Sequence, residues 1–193
     1  MKSAGDKYGL KTLTEVMDSA HCQLVADYVD GLQVGARNFQ NFSLLKKIGE
    51  VTADTHQMVL YKRGFAGTIA EWLAATDYIT DHGNTNVVLC ERGIRTFETA
   101  TRFTLDIAAV PVIHKQSLYP VCIDVSHPAG QRDLVPALAK AAVAAGADSL
   151  MIEVHPNPPV ALSDGPQQLT PAQFRELVAE LRELAAVLGK KIV

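Results

Sequence analysis

The sequence has few cysteines, no excess of basic residues and no long apolar run, and each absence removes a class of protein. Its 193 residues include only Cys22, Cys90 and Cys122, which are too few and too widely spaced for a disulfide framework. Its 18 lysines and arginines face 21 acidic residues, so it lacks the basic excess of a nucleic-acid-binding domain. No apolar run approaches the ~20 residues of a membrane span, and the N-terminus lacks the apolar core of a signal peptide. We therefore expect a cytoplasmic globular protein that binds neither nucleic acid nor membrane.

The sequence is built on a repeated unit, in which a short apolar run ends in a polar residue and is followed by a helical pattern. The apolar runs are 10–14, 31–34, 58–61, 87–90, 121–124 and 149–152. Continuous apolar runs are typical of strands buried on both faces, as in parallel sheets. Successive runs end roughly 20 to 33 residues apart, which is the period of a βα unit.

Helical patterns follow most of the runs. The predicted helices span 19–28, 40–48, 68–80, 133–145 and 170–188, and residues 1–9 are typical of the last turns of a preceding helix. Thr68 with Glu71 and Thr170 with Gln173 have the spacing of capping boxes. Gly146 is a predicted C-cap.

Two architectures accept repeated βα units, an open doubly wound sheet and a closed eightfold barrel. The open sheet normally carries a glycine-rich phosphate loop after its first strand, and this sequence has none. Polar residues at the end of every strand favour the barrel, although a barrel needs eight strands and ~250 residues. We predict an α/β fold of the (β/α)8 TIM-barrel type with about six of its eight βα units in this chain. Trp72, Tyr78 and Phe97 are predicted to lie on helix faces that pack on the barrel.

Three predicted strand ends carry a cation: Arg37, Lys62 and Arg92. If the strands are parallel, these cations converge and suit an anion with more than one charge, such as a phosphate or a phospho-carboxylate. The alternative is that they are solvated surface cations, the usual state of single lysines and arginines. Their shared placement at strand ends weakens that alternative.

The last two strand ends carry a different chemistry. His127, Glu153 and Asp164 offer an imidazole and two carboxylates from three neighbouring loops, a set that suits Mn²⁺, Fe²⁺ or Zn²⁺. His155 is a second candidate ligand. The alternative is a hydrogen-bonded loop histidine beside exposed carboxylates, since strand-end carboxylates also cap helices.

Six motifs together resemble the 3-deoxy-D-arabino-heptulosonate 7-phosphate (DAHP) synthases, and among them the type I-beta branch. The motifs are Gln-Val-Gly-Ala-Arg-Asn at 33–38, Lys-Arg-Gly at 62–64, Cys-Glu-Arg-Gly-Ile-Arg-Thr-Phe-Glu at 90–98, Asp-Val-Ser-His at 124–127, Ile-Glu-Val-His-Pro at 152–156 and Ala-Leu-Ser-Asp-Gly at 161–165. The resemblance runs from about Gly9 to Gly189. It implies an aldol-type carbon–carbon bond-forming transferase that condenses phosphoenolpyruvate with erythrose 4-phosphate, giving DAHP and phosphate. This is the first step of the shikimate pathway to chorismate and the aromatic amino acids.

The resemblance also implies roles for individual residues. The phosphoenolpyruvate-binding residues would be Arg37, Lys62, Arg92 and Glu15. The metal ligands would be His127, Glu153 and Asp164, holding Mn²⁺, Fe²⁺, Co²⁺ or Zn²⁺. Lys62 and His127 would be the catalytic residues, and we expect a homo-oligomer.

The departures from the family pattern define the alternatives. This sequence lacks segments that match the first two βα units of the family's barrel. The first unit carries a Gly-Pro-Cys-Ser stretch whose cysteine is a fourth metal ligand, and the second carries a Lys-Pro-Arg-Thr stretch that contacts both substrates. We expect residues 1–193 to form a single catalytic-type domain, the C-terminal three-quarters of a synthase barrel, without a regulatory domain. Phe103 and Val125 stand where the family usually has Asn and Pro.

Three interpretations follow from this pattern. The chain is part of a working synthase, or it is a catalytically incomplete or partner-dependent remnant of one. A less favoured interpretation is the sister synthase that uses arabinose 5-phosphate, against which the motifs at 35–38 and 90–98 argue.

Overall fold

The computed structural model describes residues 1–192 and contains six strands alternating with helices. The strands are β1 (Leu13–Glu15), β2 (Gly31–Val34), β3 (Met58–Lys62), β4 (Val87–Glu91), β5 (Val121–Asp124) and β6 (Ser149–Met151). The helices are α1 (Lys2–Tyr8), α2 (Cys22–Ala26), α3 (Phe42–Thr52), α4 (Ile69–Thr80), α5 (Ala109–Gln116), α6 (Ser126–Ala129), α7 (Val135–Ala145) and α8 (Pro171–Val187). The backbone forms two compact units, Met1–Cys90 and the residues from Glu91 onward.

In the first unit, β1, β2, β3 and β4 pair in that order, and every pair is parallel. The register sets Glu15 opposite Gln33 and Gln33 opposite Leu60, so the carboxyl ends of β1 to β3 meet at one edge of the sheet. Leu32, Val59 and Trp72 are fully buried between sheet and helices. The side chains that follow these strand ends are therefore attached to a well-packed core.

In the second unit, β5 and β6 pair in parallel with Asp124 opposite Met151. Helices α7 and α8 pack on each other, and Leu177 and Leu181 of α8 are almost fully buried. The parallel pairing places the loops after β5 and β6, which carry the predicted metal ligands, at the same edge.

The α/β class and the six predicted strands are confirmed: β2 and β5 keep their predicted bounds, and no other bound shifts by more than three residues. Both capping boxes form as predicted. Gly146 ends α7 in the left-handed conformation, at φ 104°. The predicted helix at 19–28 is shorter, because a 3₁₀ turn capped by Asp18 precedes α2.

In the segment after β4, one expectation fails and one helix went unpredicted. Phe97 does not lie on a helix face, because it belongs to the loop before α5 and is 97% exposed. Helix α5 was not predicted, and it contains Pro111 and has no side-chain N-cap. Within residues 1–192, no helix is both long and apolar enough to cross a membrane.

Asp30 connects the start of β1 to the start of β2. Its Oδ2 accepts hydrogen bonds from the backbone N–H of Thr12 at 2.8 Å and from the Thr12 hydroxyl at 2.9 Å. Lys11 Nζ donates to Oδ1 at 3.1 Å. The bond from the Thr12 backbone, followed by those from the Lys11 and Thr12 side chains, lowers the pKa of Asp30 to about 2.

Asp30→Ala should lower the urea midpoint of unfolding at pH 7, and the deficit should shrink as the pH falls from about 4 toward about 2. The Asp30 pKa is depressed in the folded state, so its contribution is complete above the unfolded value of about 3.9 and is lost as the pH falls through the folded value. Urea titrations at several pH values measure this, with the exposed Asp54→Ala as the control. A deficit that stays constant down to pH 2 would contradict the assignment.

Candidate active site

The second unit brings the three predicted metal ligands together. His127 lies in α6 directly after β5, Glu153 follows β6, and Asp164 precedes a 3₁₀ turn at Gly165–Gln167. The Nε2 of His127 lies 4.0 Å from Oε1 of Glu153 and 3.8 Å from Oδ2 of Asp164. One donor atom of each residue lies within 4.8 Å of the others, so a single cation could contact all three.

Asp124, the last residue of β5, fixes the backbone at His127 and lies beside its ring. Asp124 is fully buried, and its Oδ1 accepts hydrogen bonds from the backbone N–H groups of Ser126 at 3.2 Å and His127 at 3.1 Å. Its Oδ2 lies 2.7 Å from Nδ1 of His127. This close contact, which lacks the angle of a hydrogen bond, occupies the Nδ1 side of the ring and leaves Nε2 facing the other two carboxylates.

The two carboxylates are also held. The backbone N–H of Glu153 donates to Ser126 Oγ at 2.9 Å, and Oε2 of Glu153 accepts a hydrogen bond from Nε2 of Gln167. Oδ1 of Asp164 accepts a hydrogen bond from Nη1 of Arg102 at 2.7 Å. Asp164 has a φ of 54°, a left-handed conformation that aspartate tolerates better than most residues. Each of the two carboxylates therefore has one oxygen engaged by the protein and one oxygen that faces the cluster.

His155 does not join this cluster. The converging donors found among residues 1–192 are His127, Glu153 and Asp164, whereas Nδ1 of His155 accepts a hydrogen bond from the backbone N–H of Asn157 at 3.0 Å. The second candidate ligand is thus part of a local turn.

The first unit carries Glu15, Arg37 and Lys62 at or just beyond the ends of β1, β2 and β3. Lys62 is 6% exposed, whereas Arg37 is exposed in the 3₁₀ turn Ala36–Asn38. Arg37 borders an open cavity of about 750 Å³ that is also lined by the loop after β3. Of the two substrate-binding cations predicted in this unit, Lys62 is therefore buried and Arg37 is accessible.

Glu15 packs against the backbone of Gly35. A Cβ atom at Gly35 would overlap the Glu15 carboxylate, so only glycine allows this approach. The Glu15 Oε2 also accepts a hydrogen bond from Gln33 Nε2 at 3.4 Å. The carboxylate is thereby held beside the turn that carries Arg37.

Arg92 belongs to the second unit and is 5% exposed. Its guanidinium carbon lies 4.2 Å from the centroid of the Phe103 ring, and those of Arg95 and Arg102 lie at 5.6 and 5.8 Å. Phe103, which departs from the usual asparagine, therefore contacts a predicted substrate-binding arginine.

Sequence reasoning missed three residues of the second unit: Asp124 as the partner of His127, and Arg102 and Gln167 as partners of the carboxylates. Asp124 precedes His127 by three residues, a spacing typical of helix capping that could have revealed it. The other two partnerships depend on tertiary contacts.

Comparison with protein families identifies the chain, because the model of the DAHP synthetase I family matches residues 1–188. The chain belongs to that family. This membership and the observed βα order confirm the (β/α)8-type fold with six of the eight βα units.

Individual relatives and solved structures agree with this. A phospho-2-dehydro-3-deoxyheptonate aldolase of Thermotoga maritima is 51% identical over 192 residues, covering 100% of this chain and 56% of the relative. A crystal structure of that aldolase from Thermotoga maritima superposes with a TM-score of 0.96, and a truncated form of the DAHP synthase from the same organism with 0.95, covering 56% and 72% of those chains. A 2-dehydro-3-deoxyphosphooctonate aldolase of Caulobacter vibrioides is 36% identical over 190 residues, 90% of this chain and 62% of the relative. The chain thus spans little more than half the length of the curated relatives it matches.

Proposed function

We propose that this chain carries most of the active site of a cytoplasmic, homo-oligomeric DAHP synthase. The reaction condenses phosphoenolpyruvate with erythrose 4-phosphate to give DAHP and inorganic phosphate, the first step toward the aromatic amino acids. The observation that carries the proposal is the convergence of His127 Nε2, Glu153 Oε1 and Asp164 Oδ2 in a chain that is 51% identical to the Thermotoga aldolase.

The donor set fits a divalent metal of intermediate hardness. One imidazole nitrogen and two carboxylate oxygens suit Mn²⁺, Fe²⁺, Co²⁺ or Zn²⁺. When bound, such an ion supplies a Lewis acid that polarises the aldehyde oxygen of the sugar phosphate. His127, Glu153 and Asp164 would hold it, and Asp124 would keep the His127 ring turned toward it.

Arg37, Lys62 and Arg92 would bind the phosphate and carboxylate groups of phosphoenolpyruvate. Guanidinium groups suit both anions because they donate paired hydrogen bonds. Lys62 is almost completely buried, and an ammonium group shielded from water attracts an anion more strongly than an exposed one. Together these cations would offset the negative charge and fix the orientation of the substrate, and Glu15 would contact the same substrate.

A second candidate function is the sister reaction with arabinose 5-phosphate. It is favoured by the 36% identity to the Caulobacter 2-dehydro-3-deoxyphosphooctonate aldolase over 90% of this chain. The 51% identity to the Thermotoga phospho-2-dehydro-3-deoxyheptonate aldolase over the whole chain favours erythrose 4-phosphate instead.

The purified chain should release phosphate when it is given phosphoenolpyruvate, erythrose 4-phosphate and Mn²⁺, and His127→Ala should reduce the rate to background. The histidine supplies the nitrogen ligand, and its loss removes the ligand that Asp124 orients. A colorimetric phosphate assay measures the rate, and His21→Ala, an exposed histidine of the first unit, is the control. Faster release with arabinose 5-phosphate would identify the sister reaction. No release from a folded chain that binds Mn²⁺ would favour the incomplete remnant.

Gly35→Ala should raise the KM for phosphoenolpyruvate by about fivefold, the equivalent of losing about 1 kcal/mol of hydrogen bonding from the Arg37 turn beside which the Glu15 carboxylate is held. The new methyl group displaces the exposed Glu15 carboxylate, while the φ of −70° at Gly35 suits alanine and preserves the fold. Steady-state kinetics of Gly35→Ala, Glu15→Gln and the double variant test this. Because both changes act on one carboxylate, the double variant should be no worse than Glu15→Gln, and additive losses would contradict the mechanism.

A further inference from the structure

A continuous chain of hydrogen bonds joins Glu153 to Asp164 behind the proposed metal site. Nη1 of Arg102 donates to Asp164 Oδ1 at 2.7 Å and to Gln167 Oε1 at 2.8 Å. The amide nitrogen of Gln167 donates in turn to Glu153 Oε2. Arg102 and Gln167 therefore engage one oxygen of each carboxylate.

The two residues are fixed from different loops. Gln167 is 2% exposed and ends the 3₁₀ turn that Asp164 precedes. Arg102 lies in the loop after β4, where Ile94 and Thr104 exchange two backbone hydrogen bonds at 2.9 and 3.0 Å. The next residue, Phe103, donates its backbone N–H to the Pro128 carbonyl at 3.1 Å, close to His127. The loop after β4 is thus tied to the loop that carries the histidine ligand.

The Gln167 amide has one orientation that satisfies both neighbours. An arginine can only donate, so it requires the amide oxygen, and an ionised carboxylate can only accept, so it requires the amide nitrogen. The glutamine therefore couples the position of Glu153 to that of Asp164 through Arg102.

The remaining atoms define how each carboxylate can bind a cation. With Glu153 Oε2 and Asp164 Oδ1 engaged, Oε1 and Oδ2 face His127 Nε2 as single-oxygen ligands. Ca²⁺ takes six to eight oxygen ligands and often binds carboxylates through both oxygens, whereas smaller transition metals accept fewer ligands and include nitrogen.

We propose that Arg102 and Gln167 are positioning residues that hold Glu153 and Asp164 as single-oxygen ligands and so select a small transition-metal ion over Ca²⁺. This inference rests on the metal site of the proposed function.

The test compares Mn²⁺ and Ca²⁺ binding by the unaltered chain, Gln167→Leu and Arg102→Met. The Mn²⁺ Kd is measured by electron paramagnetic resonance, which detects free Mn²⁺. The Ca²⁺ Kd is measured by titration calorimetry. Each variant should raise the Mn²⁺ Kd by about 10- to 100-fold, the usual effect of losing a partner of a metal ligand. The Ca²⁺ Kd should change far less, because the released oxygens become available to it. The ratio of the Ca²⁺ Kd to the Mn²⁺ Kd should therefore fall, which means a weaker preference for Mn²⁺.

Gln168→Leu is the matched control. Gln168 is also buried and holds the same loop, through a hydrogen bond from Nε2 to the Ser163 carbonyl at 2.9 Å, yet it bonds to neither carboxylate. It should leave the Mn²⁺ Kd and the metal preference unchanged. Urea midpoints check folding, and Gln167→Met replaces Gln167→Leu if the latter fails to fold.

Several results would overturn the proposal. The first two are an unchanged Mn²⁺ Kd in Gln167→Leu and an equal loss of Mn²⁺ and Ca²⁺ binding in that variant. The other two are a rise of the Mn²⁺ Kd in Gln168→Leu as large as that in Gln167→Leu, and no Mn²⁺ binding by the unaltered chain. Failure of the proposed function is separate, because a chain that binds Mn²⁺ without releasing phosphate still reports on Arg102 and Gln167.

Discussion

The geometry of the metal cluster depends on the buried carboxylate of Asp124 at the end of β5. One oxygen accepts the first N–H groups of α6, which fixes the backbone of His127, and the other faces the His127 ring. Ser126, which begins the same helix, accepts the backbone N–H of Glu153 through its hydroxyl. A fully buried carboxylate is costly unless its oxygens are engaged, and these contacts offset that cost. The end of β5 thereby positions ligands that follow two different strands.

In the first unit, the carboxyl ends of the strands carry a different chemistry. Parallel pairing aligns the carboxyl ends of β1, β2 and β3, and the residues that follow are Glu15, Arg37 and Lys62 in strand order. Most residues inside the strands are apolar and buried, so specificity depends on the few polar side chains at the edge of the sheet. Close approach matters there as much as charge, because the Glu15 carboxylate reaches its position only over a residue without a Cβ atom.

The strands and the ligand trio were predictable because their signals are local. Buried parallel strands leave continuous apolar runs, and a capping box such as Thr170 with Gln173 lies within four residues of sequence. Arg102 was not predictable, since its partners Asp164 and Gln167 lie 62 and 65 residues away along the chain. Phe97 was assigned wrongly because an apolar residue type does not report whether its segment forms a helix.

Phe103 shows how a departure from the family's usual sequence can act on a site without replacing a ligand. Its ring contacts two cations with different proposed tasks, Arg92 toward phosphoenolpyruvate and Arg102 toward Asp164. An asparagine at this position would offer directional hydrogen bonds, whereas the ring face attracts a guanidinium group over a broad range of angles. Arg102 nevertheless keeps a defined direction, because its two short bonds to Asp164 and Gln167 select one geometry within that range. The aromatic ring therefore stabilises the two cations, and the hydrogen bonds to Asp164 and Gln167 fix the orientation of the Arg102 guanidinium group, which the ring alone does not.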